Sequence, residues 1–162
     1  MDEGEFDALY AASFRRLTAQ VYAMVGDLEE AQDCVQEAFA RAWSHRRTLD
    51  RAQHPEAWVR TTAYRLAVSR WRRTTLGRRP TDRALGAATS AAGPSESHVA
   101  VVAALGRLPE DQRRALVLHH IADLPVAEVA REVGVAVGTV KARLSRGRAT
   151  LALLLAEGTS HA

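Results

Sequence analysis

Apolar residues recur at three- and four-residue steps along most of the chain, the spacing of amphipathic helices. A first helix is predicted by Phe6, Leu9, Tyr10, Phe14, Leu17 and Val21. A second begins after the break at Gly26, with Asp27 as N-cap, and carries on one side Ala31, Val35, Ala38, Phe39, Ala42 and Trp43. A third begins at Pro55, a residue suited to a first helical turn. The polar stretch 49–55 between them is predicted to be irregular.

The pattern stops in residues 78–97, which mix Gly, Pro, Ser, Thr and Ala and are typical of a flexible linker. It resumes at His98, breaks at Leu108 and Pro109, and predicts further helices around 110–121, 126–133 and 139–156. We therefore predict an all-α fold of two small helical domains, residues 1–77 and 98–157, followed by a tail at 158–162.

Charge is unevenly distributed along the 162 residues, although the net charge is only +3. Residues 1–40 carry nine acids against two arginines, and residues 41–83 carry twelve arginines against three acids. An acidic block beside a basic block indicates two kinds of surface, of which the basic one suits nucleic acid. From charge alone, a chain whose charges only solvate helix faces is an equal alternative.

Several protein classes are disfavoured by the composition. The single cysteine, Cys34, excludes an internal disulfide or a multi-cysteine zinc site. The acidic start does not resemble a signal peptide, and no apolar run is long enough for a membrane helix, so a cytoplasmic protein without membrane insertion is expected. We find no phosphate-binding glycine loop or nucleophile elbow. The adjacent His119 and His120 face different sides of a helix and cannot chelate one metal ion. We therefore expect no enzyme activity, no metal and no cofactor.

The segment 126–148 is the most informative part of the sequence. A short helix ends at Gly134, and Thr139 is predicted to cap the next helix. Spacing places five apolar residues between the two helices, Val129, Ala130, Val135, Val140 and Leu144. This is the pattern of a helix-turn-helix, whose second helix enters the major groove. The residues predicted to face DNA are Thr139, Lys141, Ala142, Arg143, Ser145, Arg146 and Arg148.

Four motifs taken together resemble the extracytoplasmic-function (ECF) sigma factors of the sigma-70 family. They are AQDCVQEAFARAW at 31–43, WVRTTAYRLA at 58–67 with RWRR at 70–73, LGRLPEDQRRALVL at 105–118, and VGTVKARLSRGR at 137–148. The first two resemble sigma region 2 and the last two resemble sigma region 4. The resemblance implies a sigma factor that directs promoter-specific transcription initiation.

The resemblance also implies partners and residue roles. The partners would be the beta and beta-prime subunits of core RNA polymerase, promoter DNA that is double-stranded at minus-thirty-five and melted at minus-ten, and an anti-sigma factor. Polymerase binding falls on Asp33, Gln36, Glu37, Arg41 and Trp43. For Trp43, burial in the core is an open alternative. Contacts to minus-ten DNA fall on Leu49, Asp50, Arg51, Arg60, Tyr64, Arg65, Ser69, Arg72 and Arg73.

The sequence departs from the family pattern in the minus-ten region. Tyr64 and Arg65 stand where Arg-Asn is frequent, and Ser69 stands where an aspartate or asparagine is frequent. Two other functions stay open, the first because it also uses a helix-turn-helix and the second because of these departures. One is a dimeric repressor or response-regulator output domain, and the other is a sigma-like adaptor that binds polymerase without reading promoters.

Overall fold

The computed structural model describes residues 1–51, 54–74 and 95–160. Within these ranges all regular elements are helical. They are α1 (Glu3–Val25), α2 (Leu28–Ser44), α3 (Arg46–Arg51), α4 (Pro55–Thr74), α5 (Glu96–Leu105), α6 (Glu110–Leu116), a π-helix (Val117–Ile121), α7 (Val126–Val133) and α8 (Val137–Ser160). The chain divides into two compact units, Met1–Arg83 and Ala84–Ala162. The predicted all-α fold is confirmed.

In the first unit, α1, α2 and α4 pack against one another. The break between α1 and α2 follows the sequence: Gly26 ends α1 in the left-handed conformation with φ 82°, and the Asp27 side chain accepts a hydrogen bond from the Glu30 amide at 3.0 Å. The core contains fully buried side chains from each helix, Leu17, Val21, Val35, Val59 and Ala63.

One prediction for this unit is wrong. Residues 46–51 form α3, whereas the stretch from 49 was expected to be irregular. Leu49 is 1% exposed, so its side chain anchors this short helix to the core. The sequence did not predict this helix because a helix is recognised from recurring apolar residues, and a single buried leucine among polar residues produces no such pattern.

In the second unit, α5, α6 and α7 each pack against the long helix α8. The predicted contacts between the helices of the helix-turn-helix are confirmed, since Val129, Ala130, Val140 and Leu144 are buried. The predicted helix 110–121 is α6 continued by one π turn, in which the Ala122 amide donates to the Val117 carbonyl at 2.9 Å.

Element boundaries differ from the predictions at two places in this unit. Ser95 caps α5, so residues 96 and 97 belong to a helix and not to the predicted linker. The rest of that linker up to residue 94 lies outside the described residues. Helix α8 runs to Ser160, further than the predicted end at 156. In the described part of the chain, no helix combines the length and the apolar character needed to cross a bilayer.

Candidate interaction surfaces

Helix α8 begins two residues earlier than expected. Gly134 adopts a left-handed conformation with φ 76° and ends α7. The Ala136 carbonyl then accepts hydrogen bonds from the amides of Thr139 and Val140 at 3.0 and 3.2 Å. Ala136 therefore occupies the capping position, because the residue whose carbonyl takes the first helical bonds is the cap. The expectation that Thr139 caps this helix is wrong, and Thr139 lies exposed in the first turn.

The exposed face of α8 has a centre and two edges. At 100° per residue, Ala142, Ser145 and Arg146 lie near the centre, opposite the buried Val140 and Leu144. Lys141 and Arg148, seven residues apart, follow one edge and are exposed. Small side chains at the centre and cations around it suit a helix that enters the major groove.

Arg143 lies at the opposite edge of the same face and has a protein partner. Its Nε is 3.4 Å from Oδ2 of Asp111, in the first turn of α6, and its side chain is only partly exposed. The two residues line a cleft of about 380 Å³ together with Glu110, Arg114, Val133 and Val135. The ion pair links α8 to α6 and uses the Nε side of the Arg143 guanidinium.

A basic surface on α4 contains five of the residues expected at minus-ten DNA. Arg65, Arg72 and Arg73 are exposed and Ser69 is half-buried. They line one cleft of about 350 Å³, whose other lining residues are Tyr64 and Val68. Cations around an aromatic and an aliphatic group provide what unpaired bases and their phosphates need, namely counter-charge and a stacking surface.

Three of the residues that were expected to face minus-ten DNA have buried side chains. Arg60 is 3% exposed and donates through Nη1 to Oε1 of Gln20 at 2.9 Å. Leu49 is a core residue, and Tyr64 is buried except where it lines the cleft. The side chains of Asp50 and Arg51 lie outside the described residues. Burial is decided by the packing of α1 and α3 on α4, which helix periodicity alone did not reveal.

The α2 residues expected to bind polymerase form one continuous surface. Asp33, Gln36 and Arg41 are exposed and Glu37 is half-buried. Oε1 of Glu37 accepts from Nε of Arg41 at 3.2 Å, which is an i, i+4 ion pair on the helix. This surface therefore offers carboxylates, an amide and a guanidinium to a partner.

Trp43 at the end of this surface is 37% exposed, so it is neither fully buried nor free of the core. Its ring lies 5.1 Å from that of Phe6, and the Arg46 guanidinium lies 4.4 Å above it. Tyr10 extends the aromatic group toward Phe39 at 4.9 Å. The sequence analysis did not include Arg46 and Tyr10 among the residues of this surface. The available signals were the place of Tyr10 in the predicted apolar stripe and the position of Arg46 three residues after Trp43.

Comparisons with known families match both units. A family model described as sigma-70 region 2 matches residues 9–76, and one described as sigma-70, region 4 matches residues 98–151. The chain is 33% identical over 150 residues to the ECF RNA polymerase sigma factor EcfG of Rhodopseudomonas palustris, covering 89% of this chain and 81% of that protein. It is 30% identical over 154 residues to SigM of Mycobacterium tuberculosis, covering 95% and 79%.

Two solved structures have the same fold. One is the sigma factor RpoE from Bartonella quintana in complex with the anti-sigma factor NepR, with a TM-score of 0.74, 23% identity and coverage of 93% of this chain and 96% of that one. The other is the Mycobacterium tuberculosis extracytoplasmic function sigma factor SigJ, with a TM-score of 0.59, 26% identity and coverage of 93% and 54%.

Proposed function

The chain belongs to the ECF RNA polymerase sigma factors, and from that premise we propose which of its surfaces carries each step of promoter-directed transcription initiation. As a sigma factor it binds core RNA polymerase and directs it to promoters, and it is not an enzyme in its own right. We assign residues 1–77 to polymerase binding and the minus-ten element, residues 95–157 to the minus-thirty-five element, and residues 78–94 to a linker.

The second unit is assigned to the minus-thirty-five element because of one observation. Helix α8 presents an exposed face directly after the left-handed turn at Gly134. Ala142, Ser145 and Arg146 at its centre would face base edges. Lys141 and Arg148 at its edge would face phosphates. Arg143 would act mainly by holding α8 against α6 through Asp111.

Polymerase binding is assigned to the α2 surface that carries Asp33, Gln36, Glu37 and Arg41, with Trp43 at its end. A helix face that is polar along its length and aromatic at one end suits docking against helices of the beta-prime subunit, because the aromatic group supplies buried area and the charges supply register.

Minus-ten DNA is assigned to the cleft on α4 lined by Arg65, Ser69, Arg72 and Arg73. The melted strand has unpaired bases and exposed phosphates, and the arginines match its charge. The side chains of Arg60 and Leu49 are buried and are not among the residues that line this cleft.

The site of action would be the cytoplasm, where RNA polymerase and promoter DNA are found. An anti-sigma factor is a further proposed partner. The Bartonella quintana protein of the same fold is bound to the anti-sigma factor NepR. In this chain the exposed apolar side chains Tyr10 and Trp43 offer a surface for a protein partner.

Reconstitution with core polymerase tests the proposal. We expect the chain to bind core and to start transcription at a restricted set of sites on fragmented DNA of the genome that encodes it, with no such starts from core alone. Replacing Ser145 and Arg146, the residues assigned to base edges, with alanine should weaken site selection, whereas alanine at the exposed Arg107 should not. Binding to core without any selected start would favour the adaptor, and failure to bind core would favour the helix-turn-helix regulator.

A further inference from the structure

The edge of α8 that carries Lys141 and Arg148 continues onto another element, the π-helix. Nη1 of Arg148 lies 3.3 Å from Nε2 of His120, which is 28 residues earlier in the chain. Both side chains are exposed, so the imidazole and the guanidinium form one surface feature. A guanidinium has five N–H donors, and one contact with His120 leaves the others available to a ligand.

Backbone hydrogen bonds fix the turn of chain that carries His120. The π turn is closed by the bond from the Ala122 amide to the Val117 carbonyl at 2.9 Å, and the Leu124 amide donates to the Leu118 carbonyl at 3.0 Å. Nδ1 of the neighbouring His119 is 2.8 Å from the Leu124 carbonyl oxygen, which makes it the donor there. His119 is thus occupied in holding the chain reversal, and His120 is presented outward. Single π turns are frequent at functional sites.

We propose that His120 and Arg148 together form a binding site for one backbone phosphate of duplex DNA, at the edge of the recognition surface of α8. A phosphate oxygen placed between the two side chains would accept hydrogen bonds from the guanidinium of Arg148 and from the protonated imidazole, whose Nε2 then donates to the phosphate and no longer accepts from Arg148. This inference rests on the proposed function, because it requires α8 to face DNA.

The surroundings of His120 favour its neutral form in the free protein. Partial burial lowers the pKa of His120, and the charges of His119 and Arg148 lower it further. Helix α7 also packs on the π-helix and carries Glu128, Arg131 and Glu132, but these are not among the causes of the shift within the described part of the chain. A bound phosphate adds a negative charge that favours the imidazolium, so DNA binding should raise this pKa and take up a proton.

Because DNA binding takes up a proton at His120, affinity for DNA should increase as the pH falls. If a phosphate raises the pKa of His120, affinity for DNA should rise several-fold as the pH falls from about 8 to about 6. The gain should be largest at low salt, because the contact is electrostatic. Without Arg148 the pKa of His120 in the free protein should rise, since a repelling cation is removed.

Nuclear magnetic resonance of the full chain with a short duplex of arbitrary sequence tests the proposal. We expect the duplex to raise the pKa of the His120 ring in the wild-type chain and to raise it less in Arg148→Gln. In parallel binding measurements, His120→Gln should flatten the pH dependence, whereas His45→Gln, which removes an imidazole from the other unit, should leave it unchanged.

The possible failures are distinguishable. If the duplex shifts the resonances of Lys141 and Arg146 but leaves the pKa of His120 unchanged, the phosphate site is wrong and the proposed function stands. If no residue of α8 responds to DNA, both the phosphate site and the assignment of α8 to DNA are wrong. If His45→Gln flattens the pH dependence as much as His120→Gln, the proton uptake does not belong to this site.

Discussion

Arg60 and Gln20 form a buried hydrogen bond between α4 and α1, from Nη1 to Oε1 at 2.9 Å. One turn earlier on both helices, the exposed Arg16 and Glu56 form an ion pair. The two contacts repeat with the i, i+4 spacing of each helix and fix how α4 lies on α1. The helix that carries the minus-ten cleft is therefore positioned from its buried side.

The Arg60 contact should be worth more to stability than to DNA binding. Arg60→Ala or Gln20→Ala should each lower the free energy of unfolding by about 1–3 kcal/mol, because a buried polar group loses its partner. Removing the exposed ion pair with Arg16→Ala should cost about 1 kcal/mol at most. Urea unfolding measures these changes, with the exposed Arg65→Ala as control. Full stability in Arg60→Ala combined with lost promoter melting would instead restore Arg60 as a DNA contact.

Gly147 lies where α8 packs tightly against α6. A Cβ at this position would lie 2.9 Å from Cδ1 and 3.2 Å from Cγ of the buried Leu116. Gly147→Ala should therefore destabilise the protein by about 1 kcal/mol net, since overpacking outweighs the gain in helix propensity. Gly158→Ala on the same helix meets nothing within 4 Å and should be neutral or stabilising. Thermal unfolding compares the two, and equal effects would contradict the close approach.

Cys34 should be chemically inert in the folded protein. Burial raises the pKa of its thiol to about 12, and the Glu30 carboxylate adds to the effect. Thiolate is the reactive form, so the reactive fraction at pH 8 is on the order of one in ten thousand. Labelling with a thiol reagent should be slow in buffer and rapid in urea. Rapid labelling of the native protein would show that the α2 core opens.

Two arginines on α8 should affect DNA binding differently. Arg146→Ala should cost about 1–3 kcal/mol and relax the preference at one base pair, as loss of a base contact does. Arg148→Ala should weaken binding to all sequences alike and reduce the salt dependence by about one phosphate contact. Binding of the holoenzyme to promoter and scrambled DNA at several salt concentrations separates the effects. The assignment fails if Arg148→Ala alone changes sequence preference.

The carboxylates of the α2 surface should matter for polymerase binding. Replacing Asp33 and Glu37 together with alanine should weaken binding to core polymerase, because the partner loses two charged contacts, while the helix content stays unchanged. A control with the same charge change, Glu3→Ala with Asp7→Ala on α1, should bind normally. Affinity measurements with fluorescently labelled core decide this, and equal affinities for both double variants would contradict the assignment.

Local signals in the sequence determined the helices and the broad function. The Gly26–Asp27 break, Pro55 at the start of α4 and the bounds of α7 all followed from capping and periodicity. These features depend on residues within one or two turns of each other, so a single sequence displays them. The motifs that resemble sigma regions 2 and 4 are likewise contiguous, and the family matches to residues 9–76 and 98–151 agree with them.

Tertiary packing decided which polar side chains are available to partners. Arg60 and Arg65 are both arginines of α4, yet one is buried against Gln20, 40 residues away, and the other lines an open cleft. Arg143 and Arg148 are both cations of α8, yet one meets Asp111 and the other His120. Each of these partners lies on another element, and the π turn places His120 beside α8. Periodicity tells how side chains are arranged around one helix, and only the packing of a second helix decides which of them it covers.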